Sequence, residues 1–226
     1  SGEEWVQESF LKHSLKYEYS LIEGAMGLFD GLGSTTHSST ANVAKVLKIP
    51  IIFVVNARGQ VASLLATVRG FRDLDNKLLI IGIVFNNVNS DRHKNLIKEV
   101  FKDEDIEIFG FLPSDSRITV GKSNLGLVSP LDSVREIDVE YFASFAERNI
   151  NLSSLSKYLK SPQTKIINTS SFKDFKLDNP KPIAIAEDKI FHFQYPETKE
   201  FLSEIGIPLI SWSIYDDEEI PNEASS

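Results

Sequence analysis

The chain has 226 residues, 42% hydrophobic and 25% charged, which suits a globular protein with room for one large α/β domain or one and a half smaller ones. A net charge of −8 argues against nucleic acid or an anionic membrane surface as partner, because either calls for a basic face; a local basic pocket for a small polyanion stays compatible with it. The lack of cysteine excludes disulfides, cysteine zinc sites and a cysteine nucleophile within these residues, and with no 18-residue apolar run or signal-peptide pattern the chain reads as cytoplasmic.

Residues 3–17 carry Trp5, Val6, Phe10, Leu11 and Leu15 at helical spacing. The short apolar stretch Tyr19, Leu21, Ile22 reads as a buried strand. Near-continuous apolar runs then end at Val55, at Phe85 and near Leu112, with helical patterns at 39–48, 60–72 and 90–102 between them. Val/Ile/Leu runs alternating with helices indicate a mostly parallel sheet covered on both faces. Leu125 to Val128 reads as an edge strand, and 132–149 and 151–160 as helices closing the unit. Residues 161–180 have scattered apolar positions, two prolines and no period, as a linker does. Ile183 to Ala186 starts a new strand, 195–205 a helix, and Ile207 to Trp212 another strand. The expected organisation is therefore an α/β domain over 1–160, a linker over 161–180, and the beginning of a second α/β domain over 181–226.

The chemistry concentrates after the apolar runs, where open α/β sheets bind ligands. Glu23 to Gly31 (EGAMGLFDG) supplies two carboxylates and three glycines. Glu23 could hold Mg²⁺ directly or through water, and Asp30 could reach a substrate; read locally, Asp30-Gly31 also fits a plain turn pair. The hydroxyl-rich stretch Gly33 to Thr40 precedes a helix. It fits either a helix cap at Ser38 or Ser39, or a loop whose hydroxyls and amides hold carboxylate or phosphate oxygens. His37 in that stretch reads as a surface histidine. Arg58, in Asn56-Ala57-Arg58-Gly59, could clamp phosphate or a substrate carboxylate, or simply cap a turn. Asn86, in Asn86-Asn87-Val88, offers a paired donor and acceptor suited to an adenine edge, with turn formation as the alternative. Pro113, Asp115 and Arg117 lie at the same edge. No histidine pair has metal-ligand spacing.

In that order EGAMGLFDG, SSTANVAKVL, VVNARG, GIVFNNVNSDRH, FGFLPSD and LGLV resemble the cobyrinic acid a,c-diamide synthase family, and the later IAIAEDKIFHFQYPE resembles the start of that family's glutaminase-like domain. The resemblance implies a P-loop NTPase-like (dethiobiotin synthetase-like) α/β fold, missing its first strand here, followed by the beginning of a class I glutaminase-like domain. It implies ATP- and Mg²⁺-dependent phosphorylation of the c and then the a carboxylate of cobyrinate. Ammonia released from glutamine would then displace phosphate and leave an amide. On this resemblance Glu23 is the Mg²⁺-side carboxylate and Asp30 the acid that handles substrate or intermediate. Asn86 contacts adenine, and Arg58, Ser39 and Thr40 line the crevice between. The family usually has Asp at the position of Asn56 and a basic pair at that of Ser123-Asn124. The phosphate-cradling loop is expected upstream and the glutaminase cysteine downstream, so these residues alone are expected to be inactive. A sheet lacking its first strand would expose an edge and favour self-association, a homodimer included. Two rival readings stay open: a nickel-sirohydrochlorin a,c-diamide synthase, and a non-catalytic binding protein on the same scaffold.

Overall fold

The computed structural model describes residues 2–118, 138–159, 177–188, 190–191, 194–216 and 219–224. They belong to two compact units. The first holds the described residues up to Arg117 and from Val139 to Leu159, and the second holds Ile118, Asp138 and those from Leu177 onwards. The expected edge strand at Leu125–Val128, the helix start at 132–137 and the linker up to residue 176 lie outside the described residues.

The first unit opens with α1 (Gly2–Ser14) and α2 (Thr40–Leu47), tied where the Gln7 amide donates to the Val46 carbonyl at 2.8 Å. Helix α2 starts because the Ser39 hydroxyl accepts from the Asn42 amide at 3.2 Å. It stops because Lys48 turns left-handed (φ 54°) ahead of Pro50. Then follow β1 (Ile51–Asn56), α3 (Ala62–Leu74), β2 (Ile80–Asn86), α4 (Asp91–Val100) and β3 (Glu107–Leu112). The three strands form one parallel sheet in the order β1-β2-β3. Parallel neighbours need a crossover each, and α3 and α4 supply them. The unit closes with α5 (Val139–Asn149) and α6 (Leu152–Ser156), held to β3 where the Asn151 amide donates to the Phe109 carbonyl at 2.7 Å.

The core sits on the central strand. Ile83 and Phe85 of β2, Leu64 and Val68 of α3, Ile97 of α4 and Phe101 are all at most 3% exposed. Phe85 packs edge-on against Phe101 (5.1 Å between ring centres) and stacks on Phe111 (5.6 Å). Gly82 makes room for a neighbour: a Cβ there would lie 2.3 Å from the Phe109 ring. Outside this core, Glu104 receives Arg69 through Nε at 3.0 Å and Arg72 through Nη2 at 3.2 Å, which joins α3 to the turn before β3 and holds the Glu104 carboxyl low.

In the second unit, β4 (Ile183–Ala186) and β5 (Leu209–Trp212) pair in parallel around α7 (Pro196–Glu204). Asp188, 9% exposed, follows β4 and accepts from the amides of Ile190, Phe191 and Tyr215 at 2.7, 2.8 and 3.1 Å. These bonds, the Phe191 amide foremost, hold its carboxyl below the usual carboxylate range. No helix among the described residues is long and apolar enough to cross a membrane.

The expected α/β class and parallel sheet are the observed ones. Two elements differ. Residues 19–22 form no strand, and Leu21 is 89% exposed, so Glu23 does not follow a buried strand. An extended segment becomes a strand only by exchanging backbone hydrogen bonds with a neighbour, and among the described residues none pairs with it. The helix expected over 151–160 is also shorter, ending at Ser156. Replacing Ile97 by Ala should cost about 2–5 kcal/mol in a denaturant titration, whereas Leu21→Ala should stay within about 0.5 kcal/mol. Comparable losses at the two positions would contradict the exposed course of residues 19–22.

Candidate functional site

Two groups of candidate residues stand in the first unit. The first is the loop that carries Glu23 and Asp30. Its apolar residues fasten it down: Leu28 is buried, and Phe29 stacks on Phe71 of α3 at 5.9 Å, which in turn packs on Phe53 of β1 at 4.7 Å. The Ala41 amide in the first turn of α2 donates to the Leu28 carbonyl at 2.9 Å, and the Leu32 amide donates to the His37 carbonyl at 2.9 Å. Gly31 lies against this second turn so closely that a Cβ would sit 2.2 Å from the His37 carbonyl oxygen and 2.8 Å from that of Thr35. Gly24 lies as close to the Thr40 side chain. A run legible as glycines and acids is thus a folded loop anchored by Leu28 and Phe29, with Met26 and both acidic residues exposed.

Glu23 and Asp30 are exposed, and among the described residues neither makes an ion pair or a side-chain hydrogen bond. Thr40 is half-buried beside Gly24. Ser39 is 1% exposed with its hydroxyl on the Asn42 amide, which fits the capping alternative of the sequence reading. His37 is exposed, with Nδ1 3.0 Å from the Ser38 hydroxyl. No group of three metal-ligating side chains occurs among the described residues. A magnesium ion that keeps most of its water and rides on phosphate oxygens asks the protein for only one or two carboxylates, and Glu23 meets that demand.

The second group lies at the strand ends. Parallel register aligns Asn56 of β1, Asn86 of β2 and Leu112 of β3 in one row. The Asn86 oxygen accepts from the Asn87 amide at 2.9 Å, which leaves the Asn86 NH₂ a donor with no partner among the described residues. Asn56 accepts from the Arg58 amide at 3.2 Å and from the Asn87 side chain at 2.9 Å. The Arg58 guanidinium is exposed and unpaired among the described residues. No hydrogen bond among the described residues joins this group to the Glu23–Asp30 loop, so the structure unites Glu23, Asp30, Ser39 and Thr40, and separately Arg58 with Asn86.

Sequence reasoning placed Asp115 and Arg117 at this edge but missed their partner Tyr141, 26 residues from Asp115 with no local pattern to reveal it. Arg117 grips Asp115 in a fork, Nε to Oδ1 at 3.1 Å and Nη2 to Oδ2 at 2.8 Å, and its guanidinium lies 3.8 Å over the Tyr141 ring. The Tyr141 hydroxyl donates to the same carboxylate. Arg117 first and Tyr141 second hold the Asp115 carboxyl far below the usual carboxylate range, while Asp115 raises the Tyr141 hydroxyl.

A family model described as an AAA domain matches residues 3–120. A cobyrinate a,c-diamide synthase of Synechococcus sp. is 34% identical over 228 residues, covering 98% of this chain and 49% of that protein. One of Caldanaerobacter subterraneus is 36% identical over 224 residues, covering 97% of this chain and 48% of that protein. One of Limosilactobacillus reuteri is 35% identical over 217 residues, covering 94% and 47%. The chain spans about half the length of the curated relatives it matches. No solved structure matches. These relatives bear the name of the family that the motif order resembles.

The Asp115 pair carries a pH dependence. A carboxyl whose folded pKa is depressed contributes stability that is present above its unfolded value, about 3.9, and is lost as pH falls through the folded value. A carbonyl-carbon NMR titration of Asp115 should therefore give a midpoint below about 3.9, and Arg117→Ala should move it upward. A midpoint at or above 3.9 in the unmodified protein would refute the pairing.

Proposed function

The chain belongs to the AAA domain family matched over residues 3–120, and from that premise we propose that it forms part of an ATP- and glutamine-dependent cobyrinate a,c-diamide synthase acting in cobalamin biosynthesis. The observation that carries the reading is the pair Glu23 and Asp30. Both are exposed, both lack a partner among the described residues, and one anchored loop holds them. The names of the relatives support it, as does the motif order over nearly the whole chain. Residues 1–160 would be the phosphorylating domain, 161–180 a linker and 181–226 the beginning of the glutaminase-like domain. The cytoplasm, where ATP and glutamine are at hand, is the assigned location.

The chemistry follows from the weakness of a carboxylate as electrophile. One oxygen of the c, then of the a, carboxylate of cobyrinate attacks the terminal phosphorus of ATP, releasing ADP and forming an acyl phosphate. Ammonia freed from glutamine adds to that carbonyl carbon, phosphate leaves, and after loss of a proton an amide remains. Phosphoryl transfer depends on positioning and neutralisation of charge rather than on a covalent role for the protein. Glu23 is assigned as the carboxylate that would hold a Mg²⁺ ion, which when bound neutralises phosphate charge. Asp30 is assigned to the substrate and the intermediate. The Asn86 NH₂ faces the purine, Arg58 faces phosphate or a propionate-like carboxylate, and Thr40 lines the crevice while Ser39 caps the helix that presents it.

In the full protein, Glu23→Gln and Asp30→Asn should each lower kcat for ATP-dependent amidation of cobyrinate about 100-fold or more, with the thermal midpoint nearly unchanged because neither carboxylate has a structural partner. Full activity in both variants would remove the reading.

A further inference from the structure

Asn87 bonds to groups at all three strand ends, beside the backbone bonds from Ala57 N–H to the Asn86 carbonyl and from Val88 N–H to the Leu112 carbonyl. Its backbone is left-handed (φ 63°), a conformation that asparagine tolerates better than most side chains. Its Nδ2 donates to Asn56 Oδ1 at the end of β1 at 2.9 Å, and its Oδ1 accepts from the Ser114 hydroxyl beyond β3 at 2.8 Å. Its own amide donates to the Asn86 side chain at the end of β2. The orientation of these amide groups follows from the backbone. The Arg58 N–H requires the oxygen of Asn56, that oxygen requires the NH₂ of Asn87, and the oxygen of Asn87 is then left for Ser114. Asn89 adds a parallel tie by accepting from the Ser114 amide at 2.7 Å.

We propose that Asn87 is the positioning residue of the nucleotide end of this site. Through its side chain it sets the spacing of the Asn56–Arg58 turn and the Ser114–Asp115 turn around Asn86, and through its N–H it holds the Asn86 oxygen and leaves the Asn86 NH₂ to donate. This rests on the nucleotide reading given above. Asn87 itself touches no substrate. Loss of its side chain unties the Asn56–Arg58 turn from the Ser114–Asp115 turn, while its backbone N–H to Asn86 and the strand-end bonds from Ala57 N–H to the Asn86 carbonyl and from Val88 N–H to the Leu112 carbonyl stay in place.

The test uses the full protein with Asn87→Gly, which accepts the positive φ and removes the two side-chain ties without adding strain while keeping the N–H to Asn86, and Asn87→Asp, which keeps an oxygen for Ser114 but faces Asn56 Oδ1 with an acceptor. Both should raise the dissociation constant and KM for ATP about 5- to 20-fold, with kcat within about threefold and the thermal midpoint of Asn87→Gly close to that of the unmodified protein. Adding Ser114→Ala to Asn87→Gly should change ATP binding little further, because the Ser114 hydroxyl acts through its one bond to Asn87. Unchanged ATP affinity in Asn87→Gly, or a fall in kcat at constant KM, overturns the role of Asn87 while ATP binding by the unmodified protein keeps the nucleotide reading. No ATP binding by the unmodified protein overturns both.

Discussion

The in-register parallel pairing of β1, β2 and β3 is the constraint on which the rest depends. Parallel strands bury both faces, so β2 must be apolar almost throughout, and its interior from Gly82 to Phe85 is buried. The same register carries a second consequence. Because Asn56, Asn86 and Leu112 fall in one row, the chain leaves the sheet three times at the same level, and the turns that follow share one edge. A slip in pairing would separate Arg58, Asn86 and Ser114, and no local change of side chain could bring them back.

Above that edge, polar side chains rather than apolar packing determine the geometry. Asn56, Asn87, Asn89 and Ser114 bond to one another and to backbone amides, each as an acceptor or donor with a specific partner. Short polar side chains suit such turns because they satisfy backbone groups that the ladder leaves open. The Asp115–Arg117–Tyr141 cluster extends this: a forked ion pair covered by an aromatic ring is directional, and charge, hydrogen bonds and ring contact favour the same arrangement.

The Glu23–Asp30 loop uses the opposite arrangement. Its hold on the fold is apolar, through Leu28 and the Phe29–Phe71–Phe53 stack, and its carboxylates carry no structural duty among the described residues. Chemistry and anchoring are thereby separated on adjacent residues. A carboxylate without a protein partner stays available to cation or substrate, at the cost of uncompensated charge in a chain that is already at −8.

The sequence by itself determined the α/β class and the order of the described helices and strands from α1 to β5. The reason is that these rest on local signals: Val/Ile-rich runs and helical spacing. What only the tertiary structure decided are the matters that need a partner distant in the chain. Residues 19–22 have the composition of a strand, yet find no ladder among the described residues and lie exposed. Ser39 reads as a ligand hydroxyl or a cap until burial fixes it on the Asn42 amide. Gly31 reads as half of a turn pair until the carbonyls of Thr35 and His37 close over it. Asn87 reads as a turn residue until Asn56 and Ser114, 31 and 27 residues away, meet on its two amide atoms. Hydrogen bonds and close contacts of that range are set by strand register and loop packing, which no window of neighbouring residues contains.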